Sequence, residues 1–255
     1  MITEICFVLI FSAFWILIRS FAYDYYMIQG LKNASENENF HEKATMSEVR
    51  AKKISGNISS TISGFSIILL PFLMMLIQVI TGDNAYVIYV TRYMLLMNIS
   101  YNLVDSIDAT LTFRLHHVLV IAGVCVAYNI VQYNRLLDNM IIYSLTELSN
   151  VFIWWFYHRI QTTNKYPTSN ELVIQLNWYV LLRTVAFILA IQYTNKYWIF
   201  DIITVYTIVV MFSTHWAYAL YKKIGLLSAD EETKFLNLLD YVKREPINVE
   251  RAWSF

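Results

Sequence analysis

Two adjacent histidines, His116 and His117, open an apolar stretch (HHVLVIAGVCVAYNI). Twenty-nine residues after His117, inside a second apolar stretch, begins the segment TELSN, Thr146 to Asn150. An imidazole titrates near neutral pH and can take or give a proton, and a carboxylate such as Glu147 can do the same or balance a cation. Ionisable groups are costly in an apolar medium, so their presence there is a functional signal by default. Neighbouring residues on a helix differ in direction by about 100°. At most one of the two histidines can therefore point squarely into a shared cavity. The plainer alternative is a pair of imidazoles hydrogen-bonded or snorkelling at a membrane edge.

Around Glu147, the residues Ser144, Glu147, Asn150, Trp154 and His158 recur at spacings of 3, 3, 4 and 4, which predicts one face of a single helix. Arg183 and Arg92 are the candidate cations for Glu147. The alternative is an ion pair that only fixes helix packing. Tyr101, Asp105 and Asp108 follow one another at spacings of 4 and 3, and Asp108 could equally cap the next helix. Asp201 and His215 share a helix face to within about 40°. Most of the Trp and Tyr residues cluster near the ends of apolar segments, as an aromatic belt would.

The elements that must position these groups are membrane spans. The 255-residue chain is 57% hydrophobic and 15% charged, with a mean hydropathy of +0.45. An ordinary soluble domain carries about 25% charged residues. Six Gly and three Pro are too few for a loop-rich β protein. The charge-free run 54–82 exceeds the roughly 20 residues a spanning helix needs. The fold class expected is all-α: a polytopic bundle of about seven transmembrane helices around a central cavity. The spans expected are 2–20, 58–80, 86–104, 115–132, 139–158, 172–192 and 198–221. Two cysteines in apolar segments imply neither a disulfide framework nor a CxxC metal or redox site. No metal or resident cofactor is expected. Zero formal net charge gives nucleic acid no global field to bind.

Orientation follows from Lys and Arg placement. With these spans, fifteen of the nineteen basic residues fall on one side, and only Arg135 and Lys196 on the other. The bias puts the N-terminus outside, or lumenal, and the C-terminus in the cytosol. Residues 1–57 then form an anchor helix and a cytosolic loop, residues 58–225 a transmembrane domain, and residues 226–255 a cytosolic amphipathic tail. The first span has no basic segment before it, and Arg19 follows its apolar stretch, so it reads as an anchor rather than a cleaved signal. Odd spans run inward and even spans outward. His116, His117, Asp105, His158 and His215 then lie towards the cytosolic side, and Glu147, Asn150 and Arg183 nearer the midplane. Such a site suits an amphiphile, its head near water and its chain along the core.

The segment ISYNLVDSIDATLTFRLHHVLVIAG resembles the TLC domain, in which a helix ends in a Tyr-x-x-x-Asp-like pattern and His-His follows a short turn. Tyr101 and Asp105 match the first part, His116 and His117 the second. TELSNVFIWWFYHRI and QLNWYVLLRTVAF are similar to segments of the TLC-domain-containing branch, and the resemblance covers roughly residues 44–225. Ceramide synthases share the superfamily. Likeness to them implies N-acyl transfer from fatty acyl-CoA, with His116 or His117 as general base and Glu147 beside them. The chain departs from the synthase signature: Glu147 keeps its first carboxylate, but Asn150 puts an amide where the second stands. That departure favours the non-synthase branch, which is associated with membrane lipid composition, sensing or trafficking.

The function expected is therefore sphingolipid or phospholipid homeostasis in the endoplasmic reticulum or another endomembrane. A lipid would be held by Tyr101, Asp105, Asn150, Trp154, Arg183 and His215. The expected partners are membrane lipids, and the reading allows a homodimer. An acyltransferase is the alternative. A small-molecule or ion transporter is a third reading, with Glu147 and Arg183 as coupling groups, although no repeated pair of Gly- or Pro-broken spans supports it. The topology predicts that none of the sequons at Asn33, Asn57 and Asn98 is glycosylated. Glycosidase treatment of the chain expressed in eukaryotic cells should leave its gel mobility unchanged; a faster-running product would invert the topology.

Overall fold

The computed structural model describes residues 2–34, 40–109, 111–163, 167–197, 213–214, 216–222 and 224. The described residues form seven named helices and no strand: α1 (Ile2–Ala34), α2 (Phe40–Thr81), α3 (Asn84–Asp108), α4 (Leu111–Tyr128), α5 (Tyr133–Leu148), α6 (Val151–Thr163) and α7 (Ser169–Tyr197). Three helices are long and apolar enough to cross a membrane, over Ile2–Gln29, Glu48–Thr81 and Asn170–Lys196. Large apolar side chains such as Ile10, Phe21, Leu69, Phe72, Leu181 and Ile188 point outward along these helices. That pattern suits a surface in contact with lipid tails.

Five of the expected spans correspond to α1, α2, α3, α4 and α7. Two expectations change. First, the connector before the second span is not a loop. Helix α2 begins at Phe40 and runs for 42 residues through Pro71. The mixed-sign segment is rich in Glu, Lys, Arg, Ala and Met, all strong helix formers, and Glu48 and Lys52 stand at the favourable i,i+4 spacing. Second, the expected span 139–158 is two helices. Helix α5 starts earlier, at Tyr133, and the chain breaks at Ser149 and Asn150 before α6. The seventh expected span lies mostly outside the described residues, with 216–222 helical.

The α5–α6 break has a local cause. The Ser149 hydroxyl donates to the Thr146 carbonyl at 2.6 Å, and the Asn150 N–H turns back to the Glu147 carbonyl at 2.9 Å. The Leu148 carbonyl accepts from the Trp178 indole N–H of α7 at 3.0 Å. Asn150 then supplies the carbonyl for the first turn of α6, accepting from the Trp154 N–H at 3.0 Å. Side chains thus replace the lost helical partners, as an interrupted helix in an apolar setting requires.

The helices divide the bundle into two unlike halves. At one end, Ile67, Leu70 and Met74 of α2 pack solidly with Val87 and Leu95 of α3, Val124 of α4, and Leu136 and Met140 of α5. The first half of α2 and the last turns of α3 lie at the other end. A tight turn joins α2 to α3 at the packed end. Gly82 sits at φ +64°, its N–H bonded to the Gln78 carbonyl at 2.8 Å, and Asp83 caps α3 through the N–H groups of Ala85 and Tyr86. A side chain at position 82 would meet open space, so its cost is backbone strain alone. Gly82→Ala should destabilise the chain by about 1 kcal/mol. It should appear as a lower melting temperature in detergent, and an unchanged value would show that the turn tolerates a different backbone geometry.

Candidate functional site

An open pocket of about 910 Å³ occupies the end of the bundle opposite the packed core. Its walls come from the second half of α1 (Arg19, Tyr23), the first part of α2 (Glu48 to Gly64), the last turns of α3 (Asn98 to Asp105), the first turns of α4 (Phe113 to Val120), and α5 with α6 (Tyr143 to Gln161). These stretches fall at one end because the helices alternate in direction. The pocket therefore opens beside Glu48 and Gln161 and reaches inward to Gly64, Asn98 and Tyr143. Among the described residues, no three His, Cys, Asp or Glu side chains converge as a metal ion would require.

His116, His117, Tyr101, Asp105, Glu147, Asn150 and Trp154 all line this pocket. The two histidines differ in setting. His117 is only 5% exposed. Its Nδ1 is 2.8 Å from Asn102 Oδ1, and its Nε2 is 2.9 Å from Asp105 Oδ2. The orientation of the Asn102 amide is set by its own Nδ2, which donates to the Asn98 carbonyl at 2.9 Å. Both ring nitrogens of His117 thus face oxygen atoms of neighbouring side chains rather than an occupant. His116 is half-buried, its ring edge-on to Trp216 at 5.2 Å between centroids and 5.6 Å from the His117 ring. Of the pair, His116 is the better placed to touch an occupant.

Asp105 is shared. Its Oδ1 accepts from Arg19 Nη2 of α1, while its Oδ2 faces His117. Arg19 also donates from Nε to the Ser59 hydroxyl of α2 at 3.0 Å. Trp15, one turn earlier and fully buried, donates its indole N–H to the Met97 carbonyl at 3.0 Å and stacks edge-on with Tyr101. These contacts hold α1 against the pocket wall.

Glu147 lies at the α5–α6 break. Asn150 Nδ2 donates to Glu147 Oε2 at 3.3 Å, and Asn150 Oδ1 accepts from Arg183 Nη2 at 3.4 Å. Arg183 also donates from Nε to the Ser149 hydroxyl at 2.8 Å and from Nη1 to the Ser213 hydroxyl at 3.2 Å. Of the two candidate cations, Arg183 approaches Glu147 through the Asn150 amide. Arg92 does not serve: it bonds the Tyr128 carbonyl at 2.9 Å, among residues of the packed end. Arg183 stands behind the pocket wall rather than on it, because Asn150 and Ser149 lie between. Two members of the predicted α5 face also leave the site. Ser144 donates to the Ile68 carbonyl at 2.9 Å, and the His158 ring packs 6.4 Å from that of Tyr26 on α1. His215 lies outside the described residues.

Sequence reasoning missed Arg19, Asn98, Asn102, Gly64 and Tyr143. The signal that could have found the asparagines was an i,i+4 amide pair, Asn98 and Asn102, inside an apolar helix. The chain matches no protein-family model, no curated protein and no solved structure.

Removing Asp105 would take one partner from both the Arg19 guanidinium and the His117 imidazole. Asp105→Ala should cost about 2 kcal/mol, in the range for hydrogen bonds to charged groups. Arg19→Ala combined with Asp105→Ala should cost less than the sum of the single substitutions. Melting temperatures of the four proteins in one detergent test this, and simple additivity would show that the two groups are not coupled.

Proposed function

We propose that the chain is a multi-pass integral membrane protein, resembling the TLC-domain-containing branch, that binds a lipid in this pocket and acts in membrane lipid homeostasis. Three helices of spanning length and an outward-facing apolar surface support the membrane setting. The observation that carries the reading is the pocket itself. Its mouth is lined by polar and charged groups, its walls carry Phe113, Val120, Ile153 and Trp154, and its polar cluster includes His116 and Glu147. A cavity of that kind accepts a polar head and an apolar chain together. The lipid class is sphingolipid or phospholipid, the membrane is endoplasmic reticulum or another endomembrane, and the pocket opens to the cytosol.

The acyltransferase reading keeps one supporting observation, a histidine and a carboxylate on the walls of one pocket. Two features weigh against it. His117 has both nitrogens committed to Asn102 and Asp105, and Asn150 supplies an amide rather than a second carboxylate. The transporter reading gains the α5–α6 break, which the absence of Gly and Pro concealed, but no second break stands opposite it among the described helices.

Expression in cells that lack their own ceramide synthases separates these readings. Lipid homeostasis without synthesis expects no rescue at good expression, together with a shifted membrane lipid composition that reverts with His116→Ala. Rescue that is lost on His116→Ala or His117→Ala would replace it with the acyltransferase, and an unaltered lipid profile would end it.

A further inference from the structure

We infer that Trp154, seated on Gly64, sets the length of hydrocarbon chain the pocket accepts; the inference rests on the lipid-binding reading. Gly64 is the innermost α2 residue on the pocket wall. It lacks a Cβ where the Trp154 ring lies, and a Cβ built there would overlap the six-membered ring of the indole. Helical side chains lean towards their helix's N-terminus. The N-terminus of α6 points inward, so the indole projects from the pocket wall towards its closed end. One contact holds the Trp154 backbone and one its ring. Asn57 Nδ2 donates to the Trp154 carbonyl at 3.3 Å, and the Phe65 ring packs 5.8 Å from the indole. Trp154 as a whole is 8% exposed.

A polar crossbar completes this floor. The Tyr143 hydroxyl of α5 donates to Asn98 Oδ1 of α3 at 3.0 Å, and Asn98 Nδ2 donates to the Ser63 hydroxyl of α2 at 3.3 Å. Beyond the crossbar lies the packed core that starts at Ile67. From Glu48 at the mouth to Gly64 at the floor, α2 advances sixteen residues, about 24 Å at the helical rise. Among the described groups that close the pocket, the indole presents a large apolar surface, so a chain that fills the pocket ends against it. A smaller residue at 154 deepens the pocket. A methyl group at 64 pushes the ring back into it and makes it shallower.

The experiment compares lipids extracted from the purified full-length chain with those of the membrane it came from, by mass spectrometry. The proteins are the wild type, Trp154→Leu, Trp154→Phe and Gly64→Ala, each checked for a monodisperse gel-filtration peak. The expected result is enrichment of a narrow range of chain lengths on the wild type. The optimum moves longer by about two carbons or more with Trp154→Leu, less far with Trp154→Phe, and shorter with Gly64→Ala. Enrichment with the same length profile in every variant that gives a monodisperse peak overturns the role of Trp154 and leaves lipid binding intact. No enrichment on the wild type overturns lipid binding and this inference with it. If Trp154→Leu and Gly64→Ala do not fold, an unmoved Trp154→Phe profile decides against the inference.

Discussion

An arginine on α1 meets a carboxylate on α3, and the pocket end of the bundle depends on that contact. Arg19 and Asp105 are both largely withdrawn from water, where an unpaired charge is costly. Asp105 places one oxygen on Arg19 and the other 2.9 Å from the His117 ring. The chain of contacts then continues. His117 bonds Asn102, Asn102 bonds Asn98, and Asn98 bonds both Ser63 and Tyr143. One string of polar contacts therefore crosses α1, α2, α3, α4 and α5. In a low-dielectric setting its members polarise one another, and each is expensive to leave unmade. The string runs along the pocket wall, so the groups that line the cavity are also the groups that hold its helices in place.

A second, shorter string governs the other wall. Glu147, Asn150, Arg183 and Ser149 converge where α5 gives way to α6. The break frees backbone carbonyls that would otherwise be orphaned among apolar side chains, and Ser149 and Trp178 supply their donors. The interruption also has a use. It lets Glu147 stay on the pocket wall at the end of one helix while Trp154 leans inward from the first turn of the next. An unbroken helix would have carried Ser144, Glu147, Asn150, Trp154 and His158 along one stripe. Here Ser144 and His158 leave that stripe for contacts with α2 and α1.

Much of this was legible in the sequence, for identifiable reasons. Apolar runs with few charges mark helices strongly, so α1, α3, α4 and α7 fall where hydropathy puts them. The gathering of Tyr101, Asp105, His116 and His117 follows from two helices joined by a short connection, which must lie antiparallel and side by side. The α5–α6 break was invisible because no Gly or Pro announces it. Its cause is a serine hydroxyl that competes for a backbone carbonyl and an arginine thirty-four residues away that holds the serine. The helical start of α2 was hidden by its charge, which reads as a solvated loop although its residues favour helix. Gly64 carried no signal either, since its role is defined by a tryptophan ninety residues later in the chain.

The two halves of the bundle bear on what can pass through it. Among the described residues the pocket is closed at its inner end: Tyr143, Asn98 and Ser63 bar it, and Leu70, Met74, Leu95 and Met140 pack beyond. A polar solute crossing here would have to part a close-packed core, whose side chains interdigitate at crystal-like density. An occupant that enters and leaves by the same mouth meets no such barrier. From Glu48 to Gly64 the pocket extends about 24 Å along α2 at the helical rise. In the proposed membrane setting, a long pocket with a closed inner end suits holding a lipid better than passing a substrate across.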